Sequence, residues 1–277
     1  MDLLEQTKQL CRLYNIKPAR SKGQNFLIEE EIYDDIAAAA DLQTDDIVLE
    51  VGPGLGFLTA KLAARVKKVM AVELDDKLAE TLKARLQAQG TDNVEIINED
   101  VLETPLTPLL KGGFKIVANL PYNITSIFLR KFLEAENKPE LMVLMLQKEV
   151  AERICADAGS MSLLAVSVQF YAKPEIVEIV KKENFWPRPE VDSAIIKLEV
   201  RSKKLEENEK DFFRLVKFGF SAKRKMLKNN LAAGFKVEVK LAEELLKSAG
   251  FQPKIRAQEL SVADWLKLFS AFSRKML

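Results

Sequence analysis

Histidine is absent from all 277 residues of the chain. That excludes Ser-His and Cys-His nucleophilic triads and most catalytic zinc sites, so any chemistry here runs without imidazole. Cysteine is scarce. Cys11 and Cys155 are the only two, far apart and without metal-ligand spacing, so incidental thiols in a reducing, cytoplasmic setting and no bound metal are expected. No apolar run approaches the ~18 residues of a membrane span. The opening MDLLEQTKQLCRLYNIK has neither an apolar core nor a small-residue cleavage site, so neither a membrane partner nor a secretory signal is expected. Net charge is nearly missing too, at +1 from 42 Lys+Arg and 41 Asp+Glu. The balance hides an asymmetry: residues 201–277 hold 18 of those cations against 9 acids, leaving 24 against 32 in residues 1–200. A basic end of net +9 on a body of net −8 points to a polyanionic partner.

What is present is an ordinary globular mix, 48% hydrophobic and 30% charged, long enough for one large domain and one small one. Strand-like apolar runs occur at Ile47–Gly52, Val69–Leu74, Val94–Asn98, Phe114–Leu120, Leu141–Leu146, Ile176–Val180 and Ala194–Val200. Helical patterns fall between most of them, at Phe57–Arg65, Asp76–Gln89, Ser126–Glu134, Lys148–Ala156 and Ser162–Tyr171. Seven strands with helical crossovers predict a doubly wound α/β sheet. After the charged stretch Arg201–Lys210 the pattern is helical throughout. The expected domains are therefore 1–200 and a small, basic, all-helical 201–277. Its densest cluster, Phe220-Ser-Ala-Lys-Arg-Lys-Met-Leu-Lys228, places Lys223, Arg224, Lys225 and Lys228 within six residues. With Met226, Leu227 and Leu231 packing inward, it reads as a docked helix with one cationic face suited to phosphates.

Three strand ends carry candidate ligand groups. The first runs into Gly52-Pro-Gly54-Leu-Gly56, a tight turn that lets backbone approach a ligand closely. The second ends in Glu73, 21 residues after Gly52, the offset at which a carboxylate binds both hydroxyls of a ribose. The third ends in Glu99-Asp100, which can meet the exocyclic amine and edge of an adenine. Each acid alone reads equally as a helix cap or solvated turn; at successive strand ends of one sheet they predict an adenosine-bearing cofactor. The fourth strand ends in Asn119-Leu120-Pro121-Tyr122. Taken alone, that is also an ordinary turn with a buried Tyr. It suits alkyl transfer to an exocyclic amine, a poor nucleophile whose lone pair is delocalised into the ring. The Asn119 side-chain oxygen and the Leu120 carbonyl, on a turn stiffened by Pro121, can accept its two N–H hydrogens and localise that pair. Tyr122 offers a face on which the base stacks.

Gly23-Gln-Asn-Phe-Leu27, the glycine turn, Asn119-Leu-Pro-Tyr122, Leu146-Gln-Lys-Glu-Val-Ala-Glu-Arg153, Phe185-Trp-Pro-Arg-Pro-Glu-Val-Asp-Ser193 and the tail motif Phe220-x-x-Lys-Arg-Lys-Met-Leu227 occur in an order that resembles the rRNA adenine N6,N6-dimethyltransferases of the small-subunit type, with the erythromycin-resistance methylases as close cousins. The resemblance covers about residues 10–275. It implies a Rossmann-like methyltransferase sheet, S-adenosylmethionine as methyl donor and small-subunit (16S) rRNA, naked or in a pre-30S particle, as partner of a monomeric enzyme. The product would be N6,N6-dimethyladenosine at two adjacent adenines. It also implies roles. Asn25 and Leu27 cover the methionine and ribose end of the cofactor, Gly52 and Gly54 lie beneath it, Glu73 takes the ribose and Asp100 the adenine. Asn119 reaches both cofactor and target amine. Phe185 forms the second wall of a base sandwich opposite Tyr122, with Trp186 as the alternative ring. RNA phosphates would be met by Lys17, Arg20 and Lys22 together with the 223–228 cluster. Glu99 stands where a Gly is usual.

Two other functions share these residues. A DNA adenine methyltransferase would use the same turn, although the tail is small for direct base readout. A non-enzymatic assembly factor would keep the scaffold with an eroded glycine turn or a lost Asn119, and neither erosion is seen.

Overall fold

The computed structural model describes residues 2–18, 24–105, 113–201 and 208–276. In chain order the elements are α1 (Leu3–Leu13), β1 (Phe26–Leu27), α2 (Glu30–Ala39), β2 (Ile47–Val51), α3 (Phe57–Ala63), β3 (Lys68–Val72), α4 (Asp76–Gln89), β4 (Val94–Ile97), β5 (Lys115–Asn119), α5 (Thr125–Leu133), β6 (Leu141–Gln147), α6 (Lys148–Ile154), α7 (Leu163–Tyr171), β7 (Ala172–Val180), β8 (Phe185–Trp186), β9 (Ser193–Val200), α8 (Glu209–Gly219), α9 (Leu227–Phe235), α10 (Val239–Ser248) and α11 (Val262–Met276). All seven sequence-predicted strands form, and they make one sheet in the order β4-β3-β2-β5-β6-β9-β7. Strands β2 to β6 pair in parallel, while β9 runs antiparallel to both β6 and β7. The parallel strands are near-continuous apolar runs because helices cover both faces; Val48, Leu49, Val69, Ile116, Val117 and Leu144 are fully buried. Pro174, which cannot donate to a ladder, falls on the edge strand β7, where that loss is tolerated.

Chain order 2-3-4 builds outward on one side of β2, and β5 then returns to its other side. The point between β2 and β5 is where ligands bind in open α/β sheets. Register sharpens this. Val51 pairs with both Val72 and Ala118, and Val72 with Ile97. The next residue on each strand forms one row at the carboxyl edge: Gly52, Glu73, Asn98 and Asn119.

The chain forms two compact units, and the boundary differs from the predicted cut at 200. The first unit is Met1–Ala151 with Ala172–Ser202; the second is Glu152–Tyr171 with Lys203–Leu277. The 152–171 segment joins the C-terminal helices for an aromatic reason. Phe170 stacks on Phe212 at 4.7 Å and meets Phe213 edge-on at 5.1 Å, while the Tyr171 hydroxyl donates to Glu209 at 3.1 Å. The backbone N–H groups of Gly159 and Met161 both donate to the Gln258 carbonyl, at 2.9 and 3.1 Å. Helical periodicity shows that a helix has an apolar face, not which neighbour that face meets.

Phe170→Ala should therefore cost about 3–5 kcal/mol, the usual range for a buried Phe. Hydrogen exchange should show protection lost across residues 209–273 and kept in the β2–β6 ladder. A loss under about 1 kcal/mol, or one spread over the sheet, would contradict the assignment of this segment.

Candidate active site

The glycine turn closes over the edge of the sheet because its backbone is left-handed three times, with φ of 67° at Gly52, 56° at Gly54 and 81° at Gly56. Only glycine adopts that series without strain. Space is restricted at Gly56, where a side-chain carbon would stand 2.3 Å from Leu82 Cδ1, whereas one on Gly52 would make ordinary contact at 3.8 Å from the Asn119 carbonyl oxygen. The β2 and β5 turns are thus in van der Waals reach of each other.

Glu73 ties this edge together. Its carboxylate accepts from the Gly54 N–H at 3.1 Å and from the Asp75 N–H at 3.0 Å. It is 7% exposed. Burial raises its pKa, and the two backbone donors oppose that shift. A carboxylate has about four lone-pair sites, so acceptor capacity is left for a ligand. Asn98, which sequence reasoning did not single out, donates to the Glu73 carbonyl at 2.9 Å and fixes the strand end. Asp100 follows β4; its Oδ1 accepts from Leu102 N at 2.8 Å. Glu99 is exposed and takes a hydrogen bond from Thr104 at 2.8 Å.

At the end of β5, Leu120 N–H donates to the Met145 carbonyl at 3.2 Å. Pro121 holds φ −56° and ψ 128°, so the chain turns sharply into a single 3-10 turn, Tyr122–Ile124, and then into α5. The Tyr122 hydroxyl pairs with Ser193 Oγ at 2.6 Å. Ser193 is fully buried at the start of β9. Burial raises the pKa of Tyr122, with the Ser193 bond opposing, so the phenol stays neutral and its ring is held at a fixed tilt. The sequence signal for Ser193 was its place at the end of the Pro-rich motif.

These turns enclose a cavity of about 320 Å³, within the roughly 300–1,000 Å³ of small-molecule sites. Asn25, Leu27, Gly52, Gly54, Glu73, Asp100, Asn119, Leu120 and Tyr122 all line it. Nine of the predicted site residues, from positions 25 to 122, therefore converge on one place.

Phe185 does not converge there and corrects the expectation of a second stacking wall. It is 3% exposed and packed in the core with Leu27 and Tyr33. The cause is register: β8 pairs antiparallel with β1, setting Leu27 opposite Phe185 and Phe26 opposite Trp186. Alternation along β8 then turns Trp186 the other way, against the cluster of Cys11, Ile16, Phe26, Leu55 and Leu78. Neither ring lines the cavity.

Of the expected RNA contacts, Arg20 and Lys22 lie outside the described residues. Lys17 is exposed. The cationic helix is not found. Lys223, Arg224 and Lys225 are exposed on the turn between α8 and α9. Leu227 and Leu231 are buried as expected, but Met226 is 38% exposed. Lys228 is drawn off by Glu243 at 2.7 Å; hydrogen bonds from Lys228 and Lys247 hold that carboxyl at about 2. The turn is rigidly built. Asn230, buried, donates to the Gly219 and Ala222 carbonyls at 2.6 and 3.0 Å.

Glu50 was also missed, although an acid inside the apolar run Ile47–Val51 is itself a signal. It is 1% exposed and lines the cavity wall. Its Oε2 has no hydrogen-bond partner among the described residues. An orphaned acceptor at that wall fits a ligand that brings a donor, such as the ammonium of an amino-acid moiety.

A glycine turn, a ribose-spaced acid and an Asn-Leu-Pro-Tyr turn at the switch point of a seven-stranded sheet define a methyltransferase. Residues 16–274 match the ribosomal RNA adenine dimethylase family, and the chain belongs to that family. It is 46% identical over 270 residues to the ribosomal RNA small subunit methyltransferase A of Dehalococcoides mccartyi (strain CBDB1), covering 96% of this chain and 92% of that one. With the protein of the same name from Ligilactobacillus salivarius it shares 40% over 278 residues, 96% and 93% of the two chains. Among solved structures, a dimethyladenosine transferase from Plasmodium falciparum superposes with a TM-score of 0.79 at 30% identity, over 90% of this chain and 98% of that one. The 23S rRNA methyltransferase ErmE superposes with a TM-score of 0.75 at 32% identity, over 90% and 100%.

Burial pushes the Glu50 carboxyl from 4.5 up to about 8, opposed by the nearby Thr59 hydroxyl and reinforced by the Glu73 charge. The folded protein thus keeps a proton that the unfolded chain releases. The stability this contributes is complete below about 4.5 and is lost as pH rises through about 8. Ligand-free wild type should lose stability relative to Glu50→Gln by roughly 1 kcal/mol per pH unit across that window. Denaturation curves at several pH values check this; a constant difference between the two proteins would contradict it.

Proposed function

We propose that this chain transfers methyl groups from S-adenosylmethionine to the N6 amine of adenine in small-subunit rRNA, giving N6,N6-dimethyladenosine. The observation that carries the reading is the row Gly52–Glu73–Asn119 at the switch point, with Tyr122 held beside it in one cavity. Asn25, Leu27, the glycine turn, Glu73 and Asp100 would hold the cofactor, and the orphaned Glu50 oxygen fits its ammonium. When bound, the cofactor supplies a methyl group already attached to a good leaving group. What this chain adds is position. The target base, turned out of its stack, rests on Tyr122, whose ring is steadied by Ser193. Asn119 Oδ1 and the Leu120 carbonyl would accept hydrogen bonds from the two amine hydrogens, which localises the nitrogen lone pair for in-line attack; as the nitrogen–methyl bond forms, the bond from the methyl to its leaving group breaks, and the surplus N–H proton is released to water. No imidazole is needed, consistent with the absence of histidine.

The substrate class follows from the family and from the names of the relatives, which specify ribosomal RNA. The exposed Lys223-Arg224-Lys225 turn supports phosphate contact, and a pre-30S particle is the form of substrate this reading favours. A monomer working in the cytoplasm completes this reading. Tritiated-methyl transfer to undermodified small subunits, naked rRNA and duplex DNA, with product nucleosides identified, tests the proposal. Dimethyladenosine from the subunits or rRNA supports it; label only in DNA, or none, overturns it.

The basic turn gives a separate expectation. Neutralising Lys223, Arg224 and Lys225 together should weaken RNA binding and flatten its salt dependence by roughly 0.7–0.9 log units per lost phosphate contact. Lys228→Ala should leave the salt slope unchanged, because that cation is spent on Glu243. Fluorescence anisotropy at several salt concentrations measures both. Equal slopes for wild type and the triple variant would make the turn a merely solvated surface.

A further inference from the structure

Lys131 has no place in the chemistry above, yet its side chain is fully committed. It lies on α5, the helix that grows directly out of the Asn119–Tyr122 turn. Its ammonium donates to three backbone carbonyls of a single loop: Val101 at 2.7 Å, Leu102 at 2.9 Å and Thr104 at 2.7 Å. An ammonium has three protons, so every one is spent on this loop. The same loop begins at the end of β4 and contributes Glu99, Asp100 and Val101 to the cavity wall. It has further internal ties, with the Leu102 and Thr104 N–H groups donating to Asp100 Oδ1 and O at 2.8 and 2.9 Å.

We propose that Lys131 is a positioning residue for the adenine half of the cofactor site, fixing the Asp100–Thr104 loop to the helix that carries the target-base turn. The inference rests on the reading of Asp100 as the adenine contact. Two physical effects support it. Three short charge-assisted bonds to carbonyls hold a surface loop that water would otherwise solvate in many arrangements, so the ordering is done before the ligand arrives. The cation also stands close enough to Asp100 to interact with its charge. Desolvation lowers the pKa of Lys131, and the Asp100 charge counters that shift.

The test uses Lys131→Met, which keeps the stem and removes the charge, and Lys131→Gln, which keeps two donors. Affinities for S-adenosylhomocysteine and for adenosine, which lacks the methionine half, are measured by calorimetry or competition. The dissociation constants of both ligands should rise by the same factor in Lys131→Met, roughly 5- to 20-fold, because ordering of the loop then falls on the binding step, and by less in Lys131→Gln. In turnover the effect should fall on the KM for cofactor, while the KM for RNA moves less than twofold. Unchanged affinity in either folded variant, or a loss that appears equally in the KM for RNA and in thermal stability, would overturn the role. Asp100→Ala separates the underlying reading. If it leaves adenosine binding intact, the adenine is held elsewhere and the site reading fails. If it weakens adenosine while both Lys131 variants bind normally, only the role of Lys131 fails.

Discussion

The site depends on one carboxylate. Glu73 accepts from Gly54 N–H and Asp75 N–H, and so locks the turn after β2 to the end of β3. Burying that carboxylate costs free energy that its backbone donors offset. What the arrangement secures is register. Gly52, Glu73, Asn98 and Asn119 occupy one row of the sheet edge only because β4-β3-β2-β5 pair as they do, and a slip of one residue would turn every side chain to the opposite face. The left-handed glycines, the rigid Pro121 turn and the Ser193 bond to Tyr122 each fix a second coordinate of that same edge.

Function follows from what such an edge can do. A chain without histidine has no imidazole to shuttle a proton near neutral pH. A methyl donor that already carries its leaving group needs no nucleophile from the protein. The remaining barrier lies in the delocalised amine and in bringing three atoms into line, and both yield to fixed acceptors in a partly desolvated cavity. Asn119 and Leu120, which line the cavity, are the acceptors this proposal assigns. Glu50 and Glu73, 1% and 7% exposed, lie in a wall that admits little water, and burial makes both less acidic.

Much of this was legible in the chain because the physics behind it is local. Glycines at 52, 54 and 56 announce a turn whatever surrounds them, an acid at a strand end falls where the strand puts it, and Pro121 fixes its own φ. The readings that changed depend on partners distant in sequence. Phe185 and Trp186 look equally available until the pairing of β8 with β1 sends one into the core and the other across it. The 152–171 segment reads as part of the sheet domain until Phe170 is seen stacked on Phe212. Lys228 counts as a free cation until Glu243 claims it, and the 223–225 cations move from a helix to a turn because α9 begins only at Leu227. Glu50, Asn98, Ser193 and Lys131 carry no motif of their own; their meaning lies in what they touch.

The central claim is that the target amine is activated by fixed acceptors and not by a base. It is tested most directly by single-turnover methyl transfer with Asn119→Ala at saturating cofactor and RNA. The account predicts a rate lowered by about 100-fold or more, the usual consequence of removing one preorganised group from a developing charge, with the fold intact. A rate near that of wild type would contradict it.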